Sequence, residues 1–302
     1  AKPGWLGRGP RVGRRVFLVG GGLWRGVVEY PHMVRQYRKG DAYSYTTGFF
    51  PTVCLLEHKK AQVERIYVSP KAVESEGFAR IKELVAADLI EISAKAVEKL
   101  GDKGNDHVIG VFKTYQAKLD AEKDHVVMVN PQDLGNVGNA MRTMLAFGYK
   151  DLALITPCAD WLNPKAIRAS MGAFFSIRIE AFPSFEDYCK AYARNFFPFI
   201  LKTDRNLAAV TKVPDRPLAL VFGNEATGLP QNLWNENAIR IEESAEVDSL
   251  NLTTAIAVAL HDFRSVSYTH PRAHETKANL VFRLLLGKKN TRSHGSPLLC
   301  SC

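Results

Sequence analysis

The sequence predicts an α/β fold, and three observations carry that prediction. Short apolar runs, such as His125–Val129, Leu152–Ile155 and Leu218–Phe222, have the length of strands. Stretches with apolar residues at helical spacing lie between them. The alternation of the two along the chain implies helices packed on a sheet. The 302 residues are 46% hydrophobic, enough for one or two domains with real cores. No run of 18 apolar residues occurs, so no membrane helix is expected. The early run 16–22 is too short and too glycine-interrupted for a signal peptide.

Five cysteines (Cys54, Cys158, Cys189, Cys300, Cys302) show neither zinc-ligand spacing nor a disulfide framework. Reduced thiols in a cytoplasm and no metal are the expectation. The net charge of +9 suggests a nucleic-acid partner, but its position matters. Residues 1–32 and 266–302 each hold six basic residues and one acid. The 28 basic and 29 acidic residues between them leave the body at −1. The basic excess therefore sits in the two ends. Residues 1–32 are rich in Gly and Arg without periodicity, and read as a flexible arm or translated upstream sequence, with Met33 as the start of the folded chain. Residues from about Val266 break the preceding helical pattern. They resemble translated sequencing-adapter read-through, the alternative being a basic RNA-binding tail, and on the first reading His270, His274, His294, Cys300 and Cys302 carry no chemistry.

Residues 33–117 read as a small α/β domain. Phe49–Glu57 follows Gly48 as a short helix, and Val63–Val68 is a strand. Ser75 is placed to cap a helix whose face is Phe78, Ile81, Leu84 and Val85. Leu89–Ile92 is a strand, Ala94–Leu100 a helix stopped by Gly101, and His107–Phe112 a last strand. Lys103-Gly104-Asn105-Asp106 is a polar loop, either a solvated turn or a substrate contact. The charged stretch Tyr115–Lys123 links to the second domain, 118–265.

In that domain His125–Val129 enters Asn130–Gly148, a polar loop and then a helix from about Asn136, with Val137, Met141, Met144 and Leu145 at helical spacing. Gly135 and Gly138 permit a tight turn or a close backbone approach to a ligand. By itself this could be an ordinary strand–helix turn with an Asn cap and a surface Arg142. Ala166–Phe175 reads as a helix, Ile177–Ile179 as the start of a strand, Phe185–Arg194 as an amphipathic helix and Phe197–Lys202 as a strand. Ile239–Ile241 is a short strand. Val247–Phe263 is a last helix capped by Ser249, apolar on nearly every side and so buried in the domain or against a second chain. His125 and His261 read as structural.

Three polar loops thus stand at strand ends or helix starts: Asn136–Arg142, Gly223–Gly228 and Ser249–Asn251. Ligands in open α/β sheets sit beyond the carboxyl ends of strands. No G-x-G-x-x-G follows a strand, and neither a P-loop nor a G-x-S-x-G elbow is present, which argues against dinucleotide, nucleotide-triphosphate and hydrolase chemistry.

At these loops the chain resembles the SpoU (TrmH-like) family of RNA 2'-O-ribose methyltransferases, of the SPOUT superfamily. The matching stretches are Asn136-Val137-Gly138 through Arg142-Thr143 to Ala146-Phe147-Gly148, then Leu220–Glu225 with Gly228-Leu229-Pro230, then Asp248–Leu252. Arg168–Ala173 matches as well, and residues 33–115 resemble the ribosomal-protein-like substrate-binding domain that often precedes the catalytic one. The resemblance implies a Rossmann-like sheet with a C-terminal trefoil knot, a homodimer, S-adenosylmethionine as methyl donor and structured rRNA or tRNA as partner. It makes Arg142 the catalytic arginine, with Asn136 orienting it or the ribose. Glu225 would position substrate or anchor the knot through backbone amides, and Ser249 and Asn251 would hold the site. Leu201, Lys202, Thr203, Phe222, Gly223, Asn224, Gly228, Ile241, Leu250 and Asn251 would surround the donor.

The chemistry suits these residue types. A ribose 2'-hydroxyl is a weak acid and must lose a proton as it attacks, so alignment and charge stabilisation are the protein's tasks. An arginine stays protonated, so Arg142 suits phosphate orientation and a developing alkoxide better than general-base work. A SPOUT base methyltransferase and a non-catalytic RNA-binding protein of the same fold are the competing readings. Asn139 and Asp133 depart from the family's usual pattern.

Overall fold

The computed structural model describes residues 35–101, 106–210, 217–244, 246 and 248–269. The arm 1–32, the loop residues 103–105 and the tail beyond 269 lie outside them. Two sheets organise the chain. The first contains β1 (Tyr43–Thr47), β2 (Val63–Val68), β3 (Ile90–Ile92) and β4 (Val108–Lys113) in the order β1-β4-β2-β3. β4 runs antiparallel to both neighbours, and β2 and β3 are parallel. Three helices serve this sheet: α1 (Phe49–His58), α2 (Glu76–Leu84) and α3 (Ala94–Leu100). Ser75 caps α2 by accepting from the Phe78 N–H, and Ser93 caps α3 through Ala96 in the same way.

The second sheet is fully parallel: β5 (His125–Val129), β6 (Asp151–Ile155), β7 (Arg178–Phe182), β8 (Asn195–Pro198) and β9 (Leu218–Phe222), ordered β7-β6-β5-β9-β8. Every residue of β5, β6 and β9 is buried, as unbroken apolar runs require. From β5 the chain first builds outward through β6 and β7, then returns on the other side through β8 and β9. The order therefore reverses between β5 and β9, the switch point where a crevice opens beyond the strand ends. Helix α4 (Leu134–Phe147) follows β5, α5 (Pro164–Ala169) follows β6, α6 (Phe185–Ala191) follows β7, and α7 (Leu252–Thr269) closes the described chain. The largest core runs from the face of this sheet that α4 and α7 cover to Leu55 and Phe112 of the first unit, where Phe112 and Phe175 meet edge-on at 5.3 Å. The two sheets therefore share apolar packing.

Several elements differ from expectation. The helix expected over Ala166–Phe175 stops at Ala169, because Met171 and Gly172 take left-handed backbone (φ 47° and 81°) before a short 3-10 turn. The amphipathic helix expected to Arg194 ends at Ala191. The strand expected to Lys202 ends at Pro198, and Ile239–Ile241 is reduced to isolated bridges, Phe199 with Ile239 and Asn206 with Arg240. The expected linker is pinned rather than free: Leu119 is buried, its N–H donates to Glu180 at 3.1 Å, and Lys118 pairs with the same carboxylate. The last helix begins five residues later than expected and runs past Ser265. Among its described side chains only one face, Ile256, Ala259, Leu260 and Phe263, is fully buried.

Candidate active site

The site forms at the switch point because β5 and β9 both end there. β5 ends at Asn130, which takes left-handed backbone (φ 53°) before Pro131. Asn is the non-glycine residue that tolerates this best. Its carbonyl accepts from the Asn224 amide at 2.8 Å, tying the loop after β5 to the loop after β9. Asp133 then caps α4 by accepting from the Asn136 N–H at 2.7 Å. Asp133, not Asn136, is thus the cap, and its departure from the family's usual pattern has a local explanation.

Freed from capping, the Asn136 side chain works across the crevice. Its amide nitrogen donates to Glu225 Oε1 at 3.0 Å, and its Oδ1 accepts from Asn251 Nδ2 at 3.3 Å. Glu225 also accepts from the backbone N–H of Gln132 at 3.2 Å and of Asp133 at 3.4 Å. Burial pushes the Glu225 carboxyl up, but the donors from Asn136 and the backbone outweigh it and hold it below the usual carboxylate range. Asn251 caps α7, accepting at Oδ1 from the Thr253 N–H at 2.9 Å and hydroxyl at 2.6 Å. Ser249 is not that cap; it is exposed and lies before the helix. Residues 89 and 115 positions apart in sequence meet on one asparagine.

Two further expected residues lie outside that network. Gly138 faces α5, not a ligand: a Cβ there would lie 2.4 Å from the Ala166 carbonyl oxygen. Arg142 stands apart from the Asn136 network, and among the described residues it makes no hydrogen bond or ion pair. Its guanidinium is exposed and lines an open cavity of about 360 Å³ with Phe50, Leu145, Ala146, Ser170, Met171 and Ala173.

The segments expected around the donor lie side by side. The Phe199 N–H donates to Val221 (2.9 Å), Ile239 to Pro198 (2.9 Å), Ile200 to Ile239 (3.0 Å) and Leu207 to Arg240 (2.8 Å). These bonds bring the approaches to Leu201–Thr203, Phe222–Asn224 and Ile241 to one edge of the sheet. Gly223 is pressed against Gly228, where a Cβ would lie 2.3 Å from the carbonyl carbon, so only glycine fits. Leu201 is 54% exposed and Leu250 half-buried at that edge.

Sequence reasoning missed Asn130, Gln132 and the capping role of Asp133. The Asn-Pro dipeptide ending a strand was the available signal for the first. Gln132 meets Glu225 through its backbone N–H, which no side-chain pattern reveals. Cys54, Cys158 and Cys189 are half-buried free thiols, and burial pushes each of them up. Among the described residues no group of three or more His, Cys, Asp or Glu side chains could hold a metal, and no helix is long and apolar enough to cross a membrane.

Residues 123–261 match the model of the SpoU rRNA Methylase family. Among curated relatives, the Ribosomal RNA small subunit methyltransferase G 2 of Syntrophobacter fumaroxidans is 33% identical over 47% of this chain and 28% of its own length. The 23S rRNA (guanosine(2553)-2'-O)-methyltransferase RlmP of Bacillus subtilis is 27% identical over 49% of this chain and 61% of its own. The chain therefore spans less than two thirds of either relative. Among solved structures, the SpoU methyltransferase AviRb of Streptomyces viridochromogenes, in complex with AdoMet, superposes with a TM-score of 0.65 at 21% identity. That match covers 76% of this chain and 92% of that one. The α/β fold with its parallel sheet is that of SpoU methyltransferases.

Proposed function

We propose that the chain transfers a methyl group from S-adenosylmethionine to a ribose 2'-hydroxyl of structured rRNA or tRNA, as a cytoplasmic homodimer. The observation that carries this is the convergence of Asn136, Glu225 and Asn251, from three separate motifs, at the switch point of a SpoU-family sheet. AviRb is in complex with AdoMet, and RlmP is a 23S rRNA 2'-O-methyltransferase; both support the reading. Residues 33–117 serve as the RNA substrate-binding domain and 118–265 as the methyltransferase domain.

The residues present fit the donor. At Gly223 the loop after β9 closes on the Gly228–Leu229 backbone with no room for a side chain, so the backbone is bare at that point. Leu201 offers exposed apolar surface where an adenine ring needs it. S-adenosylmethionine supplies, when bound, a methyl group on a positively charged sulfur. The rest falls to this chain. Glu225, held ionised, fixes the amides of 132–133 and the side chain of Asn136. Asn136 and Asn251 hold the two catalytic loops in register and present polar groups to the ribose. Arg142 keeps its donors free for a phosphate and for the alkoxide that develops as the 2'-oxygen loses its proton. The bonds gripping residues 239 and 240 on the loop after β8, with α7 then returning onto α4, support a trefoil knot in this segment.

The test is to incubate the protein with tritiated S-adenosylmethionine and total RNA from a host lacking the gene. Label should survive alkaline hydrolysis in dinucleotides, the mark of a 2'-O-methyl group, and its size class separates rRNA from tRNA. Arg142→Ala should lower the rate ~10²-fold or more. Label in a base, or RNA bound without transfer, would replace this reading by one of its two competitors.

A further inference from the structure

The cavity beside Arg142 brings together features that the packing of this chain does not need. Four large apolar residues are notably exposed among the described ones, and two of them, Phe50 (58%) and Met171 (42%), line this one cavity. They come from different units: Phe50 from the first turn of α1, Met171 from the break after α5. Pro51 and Thr52, the next residues of α1, are buried, so the ring is turned outward while the helix around it packs.

The geometry is held firmly. Met171 keeps a left-handed backbone, costly for a side chain of its kind. The Ser170 hydroxyl fixes the break by donating to Ile167 at 2.7 Å and accepting from the Phe174 N–H at 3.3 Å. Gly172 lies against α1, where a Cβ would sit 2.6 Å from Cys54 Sγ and 3.7 Å from the Phe50 ring. An exposed aromatic face, a polarizable thioether and an unpaired guanidinium thus share one rigid concavity of about 360 Å³.

We infer that this cavity binds one unpaired nucleotide of the RNA substrate, its base stacked on Phe50 against Met171 and its phosphate held by Arg142. Every base has an apolar π-face that an aromatic ring can meet, and its phosphate is the anion that a free arginine fork fits. The two chemistries occur together in a nucleotide. The cavity also spans α1 of the proposed RNA-binding unit and α4 of the methyltransferase domain, so filling it would hold the substrate to both. The inference rests on the methyltransferase reading for its choice of RNA as ligand.

The test uses the full chain, a fluorescein-labelled oligouridylate and total tRNA, with Phe50→Ala, Phe50→Leu and Phe50→Tyr. Stacking predicts that Ala and Leu weaken binding about tenfold while Tyr binds within about twofold of the unchanged protein. In the methyl-transfer assay the Ala and Leu variants should raise KM and leave kcat nearly unchanged. Circular dichroism checks that each variant is folded. Binding by Phe50→Leu equal to the unchanged protein would overturn the inference, since bulk without a ring would suffice. So would sedimentation showing that Phe50→Ala splits a dimer while RNA binding holds, because the cavity would then be a contact between copies. RNA binding that depends on Phe50 without any methyl transfer would sink the methyltransferase reading and keep the nucleotide site. Methyl transfer with an unchanged KM in Phe50→Ala would do the reverse.

Discussion

The two ends of β5 carry polar networks of opposite character. At its start, His125 is fully buried, with Nδ1 3.0 Å from the Tyr188 hydroxyl and Nε2 2.9 Å from the Asp120 carbonyl. Beside it, Arg178 donates two 2.6 Å hydrogen bonds to Asp151, whose side chain is 1% exposed. At its far end, Asn130 leads to the Asn136–Glu225–Asn251 network, which is open to solvent. A buried polar group must be satisfied or it destabilises the fold. Exposed pairs contribute little, a median of ~0–1 kcal/mol for ion pairs. The first network is therefore explained by stability, whereas the second needs a different explanation, and chemistry supplies one.

The sharpest way to break this contrast is at Asp151. Asp151→Ala takes from Arg178 its two short hydrogen bonds, leaving it only the Asp120 carboxylate at 3.6 Å, and strands the Asp120 N–H that Asp151 also accepts. It should cost about 3 kcal/mol in urea unfolding, the low end for a broken buried pair because Arg178 reaches solvent. Methyl transfer per folded molecule should not change, and a drop there with intact stability would dissolve the contrast.

The same end should respond to acid. Burial pushes the His125 imidazole down to about 4, the Asp120 carbonyl pulling partly the other way. An unfolded histidine titrates near 6.5. Between those values the unfolded chain binds the extra proton, so stability is full above about pH 6.5 and falls as pH drops toward 4. The loss from this residue is no more than about 3 kcal/mol, read from urea midpoints across the window. In His125→Gln the fall over that window should shrink. Glu225, held below the usual carboxylate range by its donors, loses its charge at lower pH than a free carboxylate does.

At the site end, Asn136→Ala removes one side chain that touches both Glu225 and Asn251. The methyl-transfer rate should fall ~10²-fold, equivalent to about 2.7 kcal/mol of transition-state stabilisation. The unfolding free energy in urea should change by less than about 1 kcal/mol. A variant that unfolds while keeping its specific activity would place Asn136 with the buried network instead.

The legible and illegible parts of the chain divide along local and non-local physics. β9 falls at Leu218–Phe222 and α3 at Ala94–Leu100, the ranges that the apolar runs and Gly101 predict. Ser75 caps α2 because capping involves only four consecutive residues. The break at Met171-Gly172 was not visible, since nothing in Ala166–Phe175 forbids a helix. Contact with Cys54 of α1 stops it there. The start of α7 moved from Ser249 to Asn251 for a similar reason: both residues can cap, and only Asn251 also reaches Asn136. The motif residues were recognisable as a family pattern, but their division of labour was not. Asn136 was expected to orient Arg142 or the ribose, and the structure sets its side chain between Glu225 and Asn251.

By itself the sequence determined the alternation of strands and helices, the Ser75 cap, the apolar runs that become β5, β6 and β9, and the resemblance to the SpoU family. Each of these depends on neighbours within a few residues or on the order of motifs. Tertiary structure alone decided that β5 and β9 lie side by side, and so that Asn136, Glu225 and Asn251 meet. It also decided that Arg142 opens instead toward Phe50 and Met171. Strand order and helix facing are set by which apolar surfaces bury one another across the whole chain, a choice that no short stretch can make.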